Sequence, residues 1–261
     1  MEKEASIKKA GKMIREASNN GAKLVVLPEM WNCPYSPQYF KEYGETEKGK
    51  TFNFMAEIAK EQSIYLVGGS IPELEAGKVF NTCFFFDPNG KLIGKHRKAH
   101  LFDIDVPGIV TFLESEVLSP GDKATVVETE FGKVGIAICY DIRFPELFGK
   151  MALLGAKVII LPAAFSIPTG EAHWEISLRA RALDNQVYLL ACAPARDENG
   201  IYQAYGGSGI IDPWGTVVTL ANEGETIVYG EIDIDRVDEV RQQLPLLKHR
   251  RPELYKLGEI E

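Results

Sequence analysis

The chain reads as an α/β protein: a four-layer α-β-β-α sandwich of two packed mixed sheets with outer helices. Three observations predict this. Helical periodicity alternates with fully apolar runs of the buried-strand kind, turn signals mark hairpins between them, and one helix-strand unit occurs twice in register. Buried apolar runs suit parallel strands covered on both faces, while hairpins add antiparallel neighbours.

Taken in order, residues 7–17 place Ile7, Ala10, Met13, Ile14 and Ala17 at helical spacing, and Asn19-Asn20-Gly21 ends that helix. Leu24-Val25-Val26-Leu27-Pro28 follows as a wholly apolar strand. Residues 51–62 form a second helix and 64–69 a second buried strand. Residues 79–86 and 91–95 flank Asp87-Pro88-Asn89-Gly90, a hairpin signal. Further hairpins are predicted over 125–139, around Phe131-Gly132-Lys133, and over 209–231, around Asp212-Pro213-Trp214-Gly215. Gly21-Ala22-Lys23-Leu24-Val25-Val26-Leu27-Pro28 is echoed by Gly155-Ala156-Lys157-Val158-Ile159-Ile160-Leu161-Pro162, each after a helical segment. Agreement in register at Gly, Ala, Lys, Leu and Pro marks a repeated unit. No linker or low-complexity stretch divides the chain, so one domain is expected over residues 1–261, with 235–261 packing as a C-terminal arm.

At 261 residues, with 45% hydrophobic and 25% charged residues, the chain can build a sizeable core. A net charge of −8 with dispersed basic residues gives no footprint for nucleic acid or an anionic membrane surface. No stretch approaches a membrane span, and Met1-Glu2-Lys3-Glu4 is charged rather than signal-like, so a cytoplasmic protein is expected. Cys33, Cys83, Cys139 and Cys192 show no C-x-x-C spacing, and His96, His100, His173 and His249 form no H-E-x-x-H motif. Neither a metal nor an organic cofactor is expected.

Cys139 is the most informative residue. It closes the apolar run Val134-Gly135-Ile136-Ala137-Ile138 and passes into Tyr140-Asp141-Ile142-Arg143-Phe144-Pro145-Glu146, which reads as strand, sharp turn and helix. Pro145 suits the first helical turn, where an N–H has no intrahelical partner. A thiol near unpaired helix N–H groups is expected to favour thiolate. A small buried hydrophobe ending a core strand is the alternative. Glu29 stands where a buried strand emerges, the position of cleft-facing carboxylates in α/β folds, or of a solvated loop glutamate. Lys98, in Lys95-His96-Arg97-Lys98-Ala99-His100-Leu101, fits a solvated basic run equally well. Glu114 precedes the Pro120-Gly121 turn and fits a surface position.

Together these stretches resemble the nitrilase superfamily of carbon–nitrogen hydrolases. The carriers are Leu27-Pro28-Glu29, Arg97-Lys98-Ala99-His100-Leu101 and the run from Ile138 to Glu146, in the order the family has them. The likeness extends through Thr169-Gly170-Glu171-Ala172-His173-Trp174-Glu175, the run from Arg179 to Gln186, and Asp212-Pro213-Trp214-Gly215. His100-Leu101-Phe102-Asp103-Ile104-Asp105-Val106-Pro107-Gly108, with Asn32-Cys33-Pro34-Tyr35, is most similar to the ω-amidase branch. One departure is that the family's strand ahead of the first helix is absent; either the chain is cut short at its N-terminus, the favoured reading, or the sheet is rearranged.

The resemblance implies a thiol amidohydrolase that removes the terminal amide of α-ketoglutaramate or α-ketosuccinamate through a cysteine thioester. Cys139 would be the nucleophile, Glu29 the general base, Lys98 with the Tyr140 N–H the oxyanion partner, and Glu114 the group that positions Lys98. Tyr35, Arg143 and Thr169 are candidate substrate contacts; Arg143 fits an ion pair with Glu146 or Asp141 equally well, and Tyr35 fits packing on the Pro34 turn. Thr169 and Gly170 are expected in a loop that could close the pocket. An N-carbamoyl amidohydrolase or a nitrilase would use the same residues, and a non-catalytic scaffold would have little use for all four. The family also implies a homodimer formed through the helices after Cys139 and after the second strand echo.

Overall fold

Strand side chains alternate between faces, and that alternation shows which layers meet. The structure is a computed structural model that describes residues 3–106 and 110–255. Pro107 and Gly108 of the branch-defining stretch, and residues 256–261 of the tail, lie outside the described residues.

The first half of the chain runs α1 (Lys3–Asn19), β1 (Leu24–Val26), α2 (Pro37–Tyr43), α3 (Lys50–Gln62), β2 (Tyr65–Val67), β3 (Ile71–Glu75), β4 (Lys78–Phe86) and β5 (Leu92–Arg97). These strands make a mixed sheet in which β1 pairs parallel to β2, β2 and β3 pair antiparallel along one edge of β4, and β5 pairs along its other edge. A small hairpin, β6 (Asp103–Val106) with β7 (Val110–Leu113), follows.

The second half runs β8 (Thr125–Thr129), β9 (Gly132–Ile136), α4 (Pro145–Leu153), β10 (Val158–Pro162), α5 (Ile167–Asn185), β11 (Tyr188–Cys192), β12 (Gly209–Ile211), β13 (Val217–Leu220) and α6 (Ile234–Gln243). Its sheet has the order β13-β12-β11-β10-β9-β8, with β9, β10 and β11 parallel and the outer pairs antiparallel.

Along β2 and β4, Tyr65, Val67, Cys83 and Phe85 point into a core shared with Val134, Ile136, Ile160 and Leu161 of the second sheet. Leu66, Phe84 and Phe86 point the other way and pack on Ile14 of α1 and on Phe52, Met55 and Ile58 of α3. The outer face of the second sheet is covered by Phe148 and Met151 of α4 and by Trp174, Leu178 and Ala182 of α5. This is the α-β-β-α order read from the sequence. Burying a large apolar side chain contributes about 1.5–3 kcal/mol. The frame therefore rests on the doubly covered sheets rather than on a three-residue strand such as β1. The free edge of β1 borders a cleft of about 1950 Å³ that also reaches Glu29, Tyr35 and Tyr202.

Some elements differ from the sequence reading. Helix α5 buries a narrow stripe, Gly170, Trp174, Leu178 and Ala182, with Asn185 at its end, so its periodicity is faint. The last hairpin ends at Leu220 instead of continuing to 231, because the carbonyls of Asn222 and Glu223 turn away to accept from Gly207 and Arg196. In the stretch assigned to an arm, α6 buries Val237 and Val240, and Val237 joins the main core.

Candidate active site

Each reactive side chain leaves the end of a strand, and local backbone geometry aims it inward. After β1 the Leu27 N–H still donates to Val67 O, whereas Pro28 has no N–H and its carbonyl accepts from Ser70. Gly69 (φ +60) faces this carbonyl so closely that a Cβ would collide with Pro28 O. Met30 adopts a left-handed φ of 49°, held by a 3.1 Å bond from its N–H to Ser70 Oγ. Between these two fixed points Glu29 is directed into the protein, only 2% exposed.

Lys98 follows β5, its N–H donating to Asn81 O and its carbonyl accepting from Gly121 N. Glu114 begins a short 3-10 turn after β7, and its Oε2 accepts the Phe102 N–H at 2.7 Å. Cys139 lies just beyond β9, where the Ala137 N–H continues the pairing to Ile160 O. It has φ +45, a left-handed conformation that costs a non-glycine residue of order 1–3 kcal/mol and persists only where the surroundings over-determine it. Cys139 opens a 3-10 turn, Cys139–Arg143, and the α-helix with Pro145 at its first position starts after it.

The Lys98 ammonium ties the cluster together. Its Nζ donates to Glu29 Oε1 at 3.0 Å and lies 2.9 Å from both oxygens of Glu114, and all three side chains are fully buried. Glu29 Oε1 also accepts from Asn81 Nδ2 at 2.8 Å. The Cys139 thiol lies close enough to this carboxyl to favour its charged form, while Glu29 Oε2 itself has no hydrogen-bond partner among the described residues. Burial is the largest influence on Glu29 and raises its pKa; the Lys98 charge opposes it and the Glu114 charge adds to it. Burial works against the Lys98 ammonium, yet the Glu114 and Glu29 carboxylates outweigh it and hold its pKa well above the usual value. Burial and then the Glu29 charge push the Cys139 thiol well up, against the pull of Lys98 and of the Ala164 backbone N–H.

The expectation of a thiolate favoured by a helix N-terminus is therefore corrected. The α-helix starts only at Pro145, after the 3-10 turn, and burial followed by the Glu29 charge raises the thiol's pKa. What the arrangement supplies instead is a protonated thiol next to a carboxylate of raised proton affinity, with an ammonium fixed between two carboxylates.

Of the other sequence candidates, Tyr35 donates from its hydroxyl to Glu114 Oε1 at 3.2 Å and stacks on Phe112 at 5.6 Å between ring centroids. Tyr140 packs edge-on to Phe102 and Phe144. Arg143 pairs with neither Glu146 nor Asp141; its Nη2 lies 3.3 Å from His173 Nδ1, with the guanidinium over the Phe165 ring. Thr169 lies in the first turn of α5 rather than in a loop, and its hydroxyl bonds to Ser166. Gly170 sits against the Tyr205 ring, where a Cβ would not fit.

Three participants escape the sequence reading. Asn81 is hidden in an apolar strand, Ala164 enters through its backbone, and Tyr202 arrives on a distant loop. The Tyr202 hydroxyl donates to Ala164 O at 2.6 Å, and its ring lies 4.7 Å from that of Tyr35. Among the described residues no group of His, Cys, Asp and Glu could hold a metal ion, and no helix is long and apolar enough to cross a membrane.

Two packed mixed sheets with outer helices, gathering a buried Glu, Lys and Cys at their strand ends, define the class: an α-β-β-α protein built around a Glu-Lys-Cys cluster. The chain belongs to the carbon–nitrogen hydrolase family, whose profile matches residues 1–242. It is 51% identical over 253 residues to the protein named omega-amidase NIT2 of Mus musculus, covering 97% of this chain and 92% of that one. The Homo sapiens omega-amidase NIT2 is 49% identical over the same shares of both chains. Among solved structures, Saccharomyces cerevisiae Nit3, described as a member of branch 10 of the nitrilase superfamily, superposes with a TM-score of 0.88. That match has 44% identity and covers 96% of this chain and 92% of the other. The superfamily resemblance and the expected fold are both borne out, and the protein is a carbon–nitrogen hydrolase.

Proposed function

We propose that the protein is an ω-amidase, which hydrolyses the terminal amide of small ω-amido dicarboxylates such as α-ketoglutaramate and α-ketosuccinamate to the acid and ammonia. The observation that carries this reading is the buried Lys98 ammonium held between Glu29 and Glu114 beside the Cys139 thiol. The half-identical relatives named omega-amidase support the substrate class.

In the proposed mechanism Glu29 takes the Cys139 proton as sulfur attacks the amide carbon. The raised proton affinity of Glu29 suits a base that must later give the proton back. Lys98 and the Tyr140 N–H receive the charge that develops on the carbonyl oxygen; one such donor is typically worth about a hundred- to a thousandfold in rate. Glu29 returns the proton to the departing ammonia, leaving a thioester, and then activates water to cleave it. Glu114 holds Lys98 in place. Arg143, without a carboxylate partner among the described residues, is the cation that would meet the substrate's far carboxylate, with Tyr35 and Tyr202 as walls.

We also propose a homodimer through α4 and α5. Leu153 and Leu154 at the end of α4, and Ile176 and Leu183 on α5, are large apolar side chains left exposed, with Ile176 at 68%. A cytoplasmic location is supported by four free cysteines, three of them buried, which suit a reducing compartment.

The test is ammonia release from α-ketoglutaramate, a carbamoyl amino acid and an aliphatic nitrile, with Cys139→Ala as control. Turnover of the ω-amide that vanishes in Cys139→Ala is the expected result. Turnover of the nitrile or the carbamoyl compound alone would overturn the substrate class, and activity surviving in Cys139→Ala would overturn the thioester mechanism.

A further inference from the structure

The proposed chemistry needs Lys98 and Cys139 in fixed register, yet they hang from different sheets. Lys98 follows β5 of the first sheet and Cys139 follows β9 of the second, and among the described residues no ladder of main-chain hydrogen bonds joins those sheets. Something else must set their spacing. Asp141, two residues after Cys139 and fully buried, spans the gap.

Its Oδ2 accepts from the Ile138 N–H at 2.9 Å and from His96 Nε2 at 3.2 Å, and its Oδ1 from the His100 N–H at 3.0 Å and His100 Nδ1 at 2.8 Å. A carboxylate has about four lone-pair sites, so this one is saturated. His96 and His100 stand two residues before and two after Lys98, so one carboxylate grips the lysine segment on both sides and the cysteine turn at Ile138. Each histidine has a second anchor. His96 Nδ1 lies 3.0 Å from Thr125 Oγ1 of β8, and the His100 ring stacks on Phe144 at 3.6 Å between centroids.

We propose that Asp141, held by His96 and His100, is a positioning residue that fixes Lys98 against Cys139 across the gap between the sheets and keeps Cys139 in its left-handed conformation. This rests on the amidohydrolase reading of the site. Asp141 touches no reacting atom and acts through the turn it holds. A misplacement of about 1 Å in such a site can cost about a hundredfold in rate.

Asp141→Asn replaces an acceptor with donors where four N–H groups converge, so it tests the fold as much as the chemistry. The decisive variants are at the histidines. His100→Phe keeps a ring against Phe144 but loses the Nδ1 donor, while His100→Asn supplies an amide donor near the same point. His96→Leu and His96→Gln make the matching pair for Nε2. Steady-state kinetics on α-ketoglutaramate, the rate of Cys139 alkylation by iodoacetamide and thermal midpoints are measured for all four.

The expected result is a kcat lower by about tenfold to a hundredfold in His100→Phe and His96→Leu, with KM changed little and alkylation altered in parallel. His100→Asn and His96→Gln should recover most of that loss. Wild-type kcat and alkylation in His100→Phe and His96→Leu, with only the thermal midpoint lowered, would overturn the proposal, as would donor-keeping variants no better than their apolar counterparts. If the wild-type protein turned over no amide, the amidohydrolase reading would fail, and the alkylation rates would still decide the positioning role.

Discussion

Lys98 Nζ donates to Glu29 Oε1 at 3.0 Å, and solvent reaches neither side chain. Because Lys98 also bridges Glu114, two buried carboxylates share a single ammonium. Removing that ammonium leaves two facing carboxylates in a medium that solvates neither, and breaking a buried pair in this way typically costs about 3–5 kcal/mol. Lys98→Met is therefore expected to lower stability by about that amount and to abolish amide hydrolysis. Adding Glu114→Gln removes one of the stranded charges. The double variant should regain much of the stability, measured by urea unfolding, and none of the activity.

The proton affinity of Glu29 should set the acid limb of the pH profile. Its pKa is raised by burial, and the proposed mechanism needs the carboxylate, so kcat/KM falls as pH drops through a value above the ordinary range for a glutamate. Asn81 Nδ2 donates to this carboxyl at 2.8 Å, a bond that favours the charged form. Asn81→Ala removes the donor and should move the acid limb to higher pH. A limb unchanged in Asn81→Ala would show that another group controls it.

What the sequence makes legible here follows from the range of the interactions involved. Buried runs such as Val158 to Pro162 announce central strands because both faces must be apolar, and the turn at Cys139 is marked by the end of such a run. Glu29, Lys98 and Glu114 are readable only as spaced motifs, since each alone looks like a surface charge. Their shared burial is created by three strand ends converging. Asn81 lies between Phe80 and Thr82 with no mark of its own, and Tyr202 reaches the site from a loop whose path only the fold determines. The direction of the Cys139 shift is not legible in the sequence for the same reason: a dipole argument is local, whereas desolvation beside Glu29 is tertiary.

Asp141 should also leave a mark on acid stability. Burial alone would raise its pKa, but hydrogen bonds from His100, His96 and the Ile138 N–H more than offset this and hold it well below the usual carboxylate range. A carboxyl depressed in the folded state contributes stability that is fully present above its unfolded value, roughly 3.9, and is lost as pH falls toward the folded value. The stability difference between wild type and Asp141→Asn should therefore be largest near neutral pH. It should shrink by about 1 kcal/mol near pH 3, where the unfolded chain takes up a proton that folded Asp141 does not. Urea midpoints at the two pH values test this, and an equal difference at both would mean that Asp141 does not titrate between the two states.

Substrate discrimination is expected to depend on Arg143. Its guanidinium lies over Phe165 and beside His173, with no carboxylate among the described residues neutralising it, an arrangement that leaves a cation available to a ligand. A hydrogen bond to a charged group contributes about 1.5–3 kcal/mol, and each 1.4 kcal/mol is about tenfold. Arg143→Met should therefore reduce kcat/KM for α-ketoglutaramate by roughly tenfold to a hundredfold. A neutral amide of similar length lacks the carboxylate and should lose far less, because the proposed acyl-transfer groups Glu29, Lys98 and Cys139 are untouched. Arg143→Lys retains the charge but not the planar fork, so it should fall between the two. Equal losses on both substrates would instead mean that Arg143 supports the turn carrying Cys139 and does not read the carboxylate.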